Sequence, residues 1–202
     1  MKDRYAVARR LLPLAGLLAA GVAWGQNLVQ DGSFESGQLA PHWRLAARAG
    51  HGSWLVISAA PPATDGSRYA EAGFDFLDGV VLYQDLTLPA DGAYTVQAAV
   101  ACGLEGAKKP EDFCRLDVTD LSAETVMAPM PGTDNLTSTE AGVIKPVFAA
   151  DGGRGSVAMK DSSPVRFEGK AGQVVRLRAM VLASSRPVTM GLDNIRLVRE
   201  AK

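Results

Sequence analysis

The chain has 202 residues, with 21 basic and 22 acidic side chains and a formal net charge of −1. This balance, without a block of clustered Lys and Arg, argues against a protein that binds nucleic acid through its phosphates. At this length one domain is the default, and about two thirds of the unfolded surface can be buried on folding.

Residues 1–25 have the pattern of a secretory signal peptide. Four basic side chains precede a strongly apolar stretch, Leu11 to Ala23, which is too short to span a bilayer. Ala23 and Gly25 lie where signal peptidase reads small residues, so we predict cleavage before Gln26. We expect a secreted or periplasmic bacterial protein, with no membrane insertion after cleavage because no second apolar run is long enough.

The remaining residues, 26–202, are predicted to form a single all-β domain with a formal charge of −4. Apolar and polar residues alternate with a period of two, and no stretch carries a helical stripe of three turns. The clearest strands are Val80 to Leu88 and Ala93 to Ala101, joined by a Pro/Gly turn as a hairpin or as a crossover between sheets. The other predicted strands are Trp54 to Ser58, Arg68 to Ala72, Cys114 to Thr119, Ser156 to Lys160, Gln173 to Leu182 and Leu192 to Val198.

Many short strands without intervening helices predict a two-sheet antiparallel sandwich. Residues 120–143 have no clear pattern and are compatible with a long loop, an excursion at a sheet edge or one helical turn.

The chain has two cysteines, Cys102 and Cys114, on the two sides of a predicted loop. Disulfides persist in exported proteins, and on the chain-entropy model a bridge across this loop contributes about 3 kcal/mol. We predict a structural disulfide, with free thiols as the alternative. A metal site or a redox CxxC pair does not match two thiols at this spacing.

Three segments carry motifs that occur together in one fold family. They are NLVQDGSFESG followed by Trp43, then DGSRYAEAG with YQDLTLPADGAYTVQAAVA, and finally GLDNIRLV near the C-terminus. In this order they resemble the galactose-binding-like jelly rolls of secreted carbohydrate-binding modules and of related exported bacterial domains. The resemblance implies a jelly-roll β-sandwich and a carbohydrate ligand.

Glu35 in GSFESG and Asp193 in GLDN are acidic residues within these motifs. The first and last strands of a jelly roll lie side by side, so the two carboxylates can converge although 158 residues separate them. In the resembled families this place often holds a structural calcium ion, a cation that takes carboxylate and carbonyl oxygens. The alternative is that both residues are loop acids hydrogen-bonded to turn amides.

No linear motif for catalysis is present. His42 and His51 do not form an HExxH pattern, and the chain has neither a GxSxG elbow nor a Walker loop. We interpret His51 as a solvated or packed loop residue rather than a metal ligand. Because the two carboxylates of a glycoside hydrolase carry no linear motif, such an enzyme stays an alternative.

Alternation also predicts which side chains leave the core. If the leucines of Val80 to Leu88 face inward, its other side chains face outward. Should two further strands share its sheet, their outward side chains lie on the same outer face, with a tryptophan at its rim. The predicted ligand-binding residues are Trp54, Tyr83, Asp85, Gln97, Arg176 and Arg178. An aromatic ring beside planar hydrogen-bonding groups suits a sugar, and the alternative is a solvated face with cross-strand Asp/Arg pairs. Trp43 is predicted to be buried in the core, and burial is the alternative for Trp54.

The sequence therefore predicts an exported, non-catalytic protein that binds a cell-surface or extracellular polysaccharide. A calcium ion is the expected metal, and no organic cofactor is expected. The alternatives are a structural or adhesive envelope protein that binds another protein, and a carboxylate-dependent glycoside hydrolase.

Overall fold

The computed structural model describes residues 25–47, 53–58, 63–74, 78–104, 112–121, 143–151, 158–183 and 187–201. Nearly all of the predicted signal peptide, His51 and most of residues 120–143 lie outside these ranges, so the predictions for them stay predictions. The described ranges contain eleven strands and no helix. No helix in these ranges is thus long and apolar enough to cross a membrane.

The strands are numbered in chain order. In order they are β1 (Arg44–Ala47), β2 (Trp54–Ile57), β3 (Tyr69–Phe74), β4 (Asp78–Thr87), β5 (Gly92–Leu104), β6 (Phe113–Asp120), β7 (Val143–Asp151), β8 (Lys160–Asp161), β9 (Val165–Gly169), β10 (Val174–Ala183) and β11 (Val188–Arg199).

These strands form two antiparallel sheets that pack face to face. The five-stranded sheet has the order β1-β4-β10-β6-β7. The six-stranded sheet has the order β2-β3-β11-β5-β8, and β9 also pairs with β5. The predicted two-sheet antiparallel sandwich is confirmed. Because β4 and β5 belong to different sheets, the Pro/Gly turn between them is a crossover and not a hairpin.

The core lies between the two sheets, and alternation selects its side chains as predicted. Leu82 and Leu86 on β4 and Leu88 directly after it are 0, 7 and 0% exposed, and on β5 the alternate residues Tyr94 and Val96 are also buried. Each such side chain removed from water contributes about 1.5–3 kcal/mol to stability before the entropy of ordering is subtracted. Burial on one face of each strand fixes the register, because a slip of one residue would expose that face.

The segment before β1 closes one end of the core. Trp43 is buried, and its ring centroid lies 5.4 Å from that of Phe34. Its indole N–H donates to the backbone carbonyl of Asp31 at 3.1 Å. The prediction that Trp43 is a core residue is confirmed.

Cys102 and Cys114 form a disulfide with a Cα–Cα distance of 6.1 Å. Cys102 lies on β5 and Cys114 on β6, so the bond joins the two sheets as well as closing the predicted loop. Both side chains are buried between the sheets. The bridge is therefore a covalent link through the core.

Candidate functional site

The side of the five-stranded sheet that points away from the core carries the main group of polar and aromatic side chains, and we call it the outer face. In the register, Arg176 on β10 lies opposite Asp85 on β4, and Arg178 lies opposite Tyr83. Directly opposite residues on antiparallel strands project to the same side. The members of the outer face on β1, β4, β6 and β10 include Arg44, Val81, Tyr83, Asp85, Phe113, Arg115, Asp117, Thr119, Arg176, Arg178 and Met180.

Three of these side chains form one cluster. The guanidinium of Arg176 donates two hydrogen bonds to the carboxylate of Asp85, at 2.6 and 3.0 Å. The same guanidinium lies over the ring of Tyr83, with its central carbon 4.2 Å from the ring centroid. A bidentate ion pair and a cation–π contact hold all three groups in fixed positions. The cluster is partly exposed, so its remaining polar atoms and the edge of the ring can meet a ligand.

A small pocket of about 180 Å³ lies beside this cluster. Its lining residues are Gln30, Pro41, His42, Arg44, Gln84, Asp85 and Leu86. Arg44 stands at its edge, with a side chain that is 68% exposed and a nitrogen 4.0 Å from an oxygen of Asp85. The pocket thus joins the segment before β1 to the outer face.

Gln84 explains how this pocket keeps its shape. Its side chain is buried, donates to the carbonyls of Gln30 and His42 at 2.9 and 3.2 Å, and accepts the Gln30 N–H at 2.8 Å. The ring of His42 is in turn 2.7 Å from the side-chain oxygen of Gln30. A glutamine at an inward position of an alternating strand was a visible signal that our sequence interpretation missed. Our sequence interpretation also missed Arg44, because no sequence pattern distinguishes it as a site residue.

Arg178 lies on the outer face but is buried, which corrects the prediction that it contacts a ligand. Its guanidinium is 3.2 Å from the carboxylate of Asp117 on β6, and the two side chains are 2 and 1% exposed. Burial raises the pKa of Asp117 above its usual range, although the positive charge of Arg178 acts in the other direction. Arg178 therefore belongs to a covered part of the outer face, as do its neighbours Val81 and Met180, and does not form exposed surface.

Gln97 and Trp54 are not part of the outer face, so the prediction that they share a face with Tyr83 is wrong. Gln97 lies on β5, in the six-stranded sheet, and its amide donates to the backbone of Ser162 at 3.0 Å. Alternation gave its outward direction correctly, but it could not tell which sheet the strand joins. Trp54 is 1% exposed and belongs to the core, as in the alternative interpretation.

Glu35 and Asp193 do converge, and they hold one loop between them. Asp193 accepts the backbone N–H groups of Thr64 and Asp65, at 2.6 and 2.9 Å. Glu35 accepts the N–H groups of the two residues that precede β3, Ser67 at 2.8 Å and Arg68 at 2.7 Å. We call this arrangement the loop clamp. It ties the N-terminal segment and β11 to residues 64–68.

Gly66 is required in the loop clamp for two reasons. Its φ is +76°, a left-handed conformation that glycine adopts without strain. A Cβ atom at this position would lie 2.5 Å from the carboxylate of Glu35. The glycine of the DGSR motif thus lets the carboxylate approach the backbone amides.

The hydrogen bonds of the loop clamp show whether these two carboxylates could bind a calcium ion. One oxygen of Asp193 takes three donors from residues 64 and 65, and its other oxygen takes the N–H of Asn194 at 2.7 Å. Positive N–H groups stand where a cation would have to bind, so the pair as arranged fits loop acids bonded to turn amides and does not fit calcium. Within the described residues no group of three or more His, Cys, Asp or Glu side chains is placed to hold a metal ion.

The loop clamp predicts an acid-sensitive contribution to stability. Hydrogen bonds from the Ser67 and Arg68 amides hold the pKa of Glu35 below its ordinary value of 4.5. A lowered folded-state pKa gives stability that is present above the unfolded value and is lost as the pH falls through the folded value. We therefore expect the melting temperature of the wild type to fall more steeply below about pH 4.5 than that of Glu35→Gln.

Glu168→Gln is the matched control for this experiment, because it removes an exposed carboxylate that lies outside the clamp. Melting curves of the three proteins between about pH 7 and about pH 3 make the comparison. Parallel acid profiles for the wild type and Glu35→Gln would contradict the clamp's role.

Comparison with known proteins supports the fold. Neither a protein-family profile nor a curated protein matches the sequence. Among solved structures, a CBM61 carbohydrate-binding module in complex with β-1,4-galactotriose superposes with a TM-score of 0.53 at 16% identity, over 87% of this chain and 99% of the module. A xylan-binding domain of CBM22 gives a TM-score of 0.50 at 11% identity, over 87% of this chain and 97% of that domain.

The enzymatically active domain of tailspike protein 4 from bacteriophage CBA120 is also similar, with a TM-score of 0.56 at 9% identity. The match covers 86% of this chain but 21% of the tailspike chain. At these identities the likeness establishes the fold, and the jelly-roll β-sandwich predicted from the sequence motifs is confirmed.

Proposed function

We propose that this chain is an exported, non-catalytic protein that binds a polysaccharide on the outer face of its five-stranded sheet. The observation that carries the proposal is the cluster of Tyr83, Asp85 and Arg176, a ring, a carboxylate and a guanidinium held together beside a pocket. A sugar offers hydroxyl pairs and apolar C–H faces, which are the complements of such groups.

The structural neighbours support the same function. Two of them are carbohydrate-binding modules of nearly the same extent as this chain, one solved with galactotriose and one described as xylan-binding. The charge pattern of residues 1–25 and the disulfide support export, because both are typical of proteins that fold outside the cytosol.

Within the outer face, the described carboxylates Asp85 and Asp117 are each paired with an arginine. Pairing of this kind holds a carboxylate in position for hydrogen bonding. For Asp85, which is partly exposed, the pairing supports a role in binding rather than in acid–base chemistry, whereas Asp117 is buried.

Tyr83→Ala is expected to weaken polysaccharide binding several-fold. The change removes the ring against which Arg176 is held, and aromatic stacking of this kind contributes about 0.5–1.5 kcal/mol. Isothermal titration with β-1,4-galactan and with xylan measures the loss, and Tyr83→Phe is expected to keep most of the affinity because it keeps the ring.

Gln97→Ala is the control, because Gln97 points outward from the other sheet. If Tyr83→Ala bound polysaccharide with the same affinity as the wild type, the binding site would not lie at Tyr83 on the outer face. Absence of binding to any polysaccharide on a broad glycan array would refute the proposed function itself.

A further inference from the structure

The outer face has a charge opposite in sign to that of the chain. Among its described residues on β1, β4, β6 and β10 it has four arginines and two aspartates, a formal charge of +2. The whole chain has a formal charge of −1. A positive surface on a weakly acidic protein draws negative ligands to that surface.

The two aspartates of the face are already neutralised. Asp85 receives two hydrogen bonds from Arg176, and Asp117 is paired with Arg178 in a buried position. The other two arginines of the face are Arg44 on β1 and Arg115 on β6. Arg44 is the exposed one, with 68% of its side chain open to solvent.

Arg44 is poorly neutralised where it stands. Its nearest carboxylate is that of Asp85, and the distance of 4.0 Å is too long for a hydrogen bond. Both oxygens of Asp85 are occupied by Arg176, which further weakens their attraction for a second guanidinium. The planar donor fork of Arg44 is thus available at the edge of the pocket.

The pocket beside Arg44 supplies further polar partners. Its lining residues include Gln30 and His42, whose side chains contact each other at 2.7 Å, and also Gln84 and Asp85, the second of which is already paired with Arg176. A volume of about 180 Å³ is below the range of about 300–1,000 Å³ typical of drug-sized ligands, so it fits a single sugar unit. The rest of a polymer would then lie along the outer face, past Tyr83 and Arg176.

Building on the proposed function, we propose that the polysaccharide bound by this face is anionic, and that Arg44 pairs with its acidic group. A guanidinium fork matches the two oxygens of a carboxylate or a sulfate in a bidentate pair. A sugar unit in the pocket places its acidic substituent against Arg44, while neighbouring units meet the ring of Tyr83. Arg44 thereby selects acidic over neutral polymers.

The test compares an acidic polymer with its neutral, carboxyl-reduced form, and adds a second polymer with a different acidic group. Affinity is measured by titration calorimetry in about 0.15 M salt for polygalacturonate, for carboxyl-reduced polygalacturonate and for a sulfated galactan. We expect at least one of the two anionic polymers to bind about tenfold or more tightly than the reduced polymer. The anionic polymer that binds more tightly is used for the experiments with variants.

Two variants with the same loss of charge identify the residue. Arg44→Gln is expected to lower affinity for the preferred anionic polymer about tenfold and to leave that for the reduced polymer unchanged. Arg196→Gln removes an exposed charge from the six-stranded sheet and is expected to bind as the wild type does. Melting curves confirm that both variants are folded.

Three results would overturn the inference. If the reduced polymer binds as tightly as the acidic ones, the proposed function stands but the ligand is not selected by charge. If Arg44→Gln and Arg196→Gln lose affinity equally, the attraction is non-specific and Arg44 has no special role. If no polysaccharide binds, the proposed function fails together with this inference.

Discussion

Asp117→Ala is expected to lower the free energy of unfolding by about 3–5 kcal/mol. The change leaves the guanidinium of Arg178 in a buried position without the carboxylate that now lies 3.2 Å away. Removing one partner of a buried ion pair costs this much because the other charge has already lost its water. A loss of that size is a large part of the roughly 5–15 kcal/mol that stabilises a typical domain. Denaturant unfolding monitored by circular dichroism measures it.

Two further variants show whether the loss comes from the buried charge. In the double variant Asp117→Leu, Arg178→Met both charges are absent, and we expect most of the stability to return. Asp85→Ala removes the partly exposed pair and is expected to cost less, because its arginine can reach solvent. A cost below about 1 kcal/mol for Asp117→Ala would mean that water reaches the pair.

Trp54→Ala is expected to cost about 3–5 kcal/mol, the usual range for removing a buried aromatic side chain. Trp54 is 1% exposed at the start of β2 and packs in the core between the sheets. The neighbouring Leu55 is 61% exposed, so Leu55→Ala is expected to stay within about 0.5 kcal/mol of the wild type.

The pair is also a test of register. A slip of one residue would exchange the two side chains between core and solvent, and the costs of the two substitutions would be exchanged with them. Unfolding curves of the two single variants show which of the two side chains lies in the core. If the Trp54→Ala protein were stable but did not bind polysaccharide, the prediction that Trp54 contacts the ligand would be supported.

The direction of side chains along single strands could be predicted from the sequence. Leu82 and Tyr94 are buried and Tyr83 points outward, because a period of two follows from strand geometry alone. β1 and β9 were not predicted, because four and five residues are too few for a period of two to stand out. β7 was also missed, and its Pro146 interrupts the pattern of a strand.

The assignment of strands to sheets could not be predicted in this way. Gln97 points outward as expected, but β5 pairs with β11 and β9, so Gln97 faces away from Tyr83. The burial of Arg178 could not be predicted from the sequence either, because it depends on Asp117, a residue 61 positions away. Contacts of this kind are set by tertiary pairing, which a local pattern does not contain.

The convergence of Glu35 and Asp193 could be predicted, because the sequence motifs implied which strands are neighbours. The groups to which these carboxylates bind could not be predicted. The donors that satisfy them are backbone amides of Thr64 to Arg68, and every non-proline residue has such an amide. Only the glycine in the DGSR motif gave a local signal, since it allows the close approach.

The position of β11 determines when the strands of the six-stranded sheet can pair in a newly made chain. β11 is the last strand described, yet it lies between β3 and β5 in the middle of the six-stranded sheet. It also supplies Asp193 to the loop clamp and pairs with the N-terminal segment through Leu197 and Leu28. Until β11 has been synthesised, β2 and β3 have no neighbour through which to join β5. Completion of this sheet therefore requires synthesis through β11, and a chain that stops before residue 188 lacks the strand that joins β3 to β5.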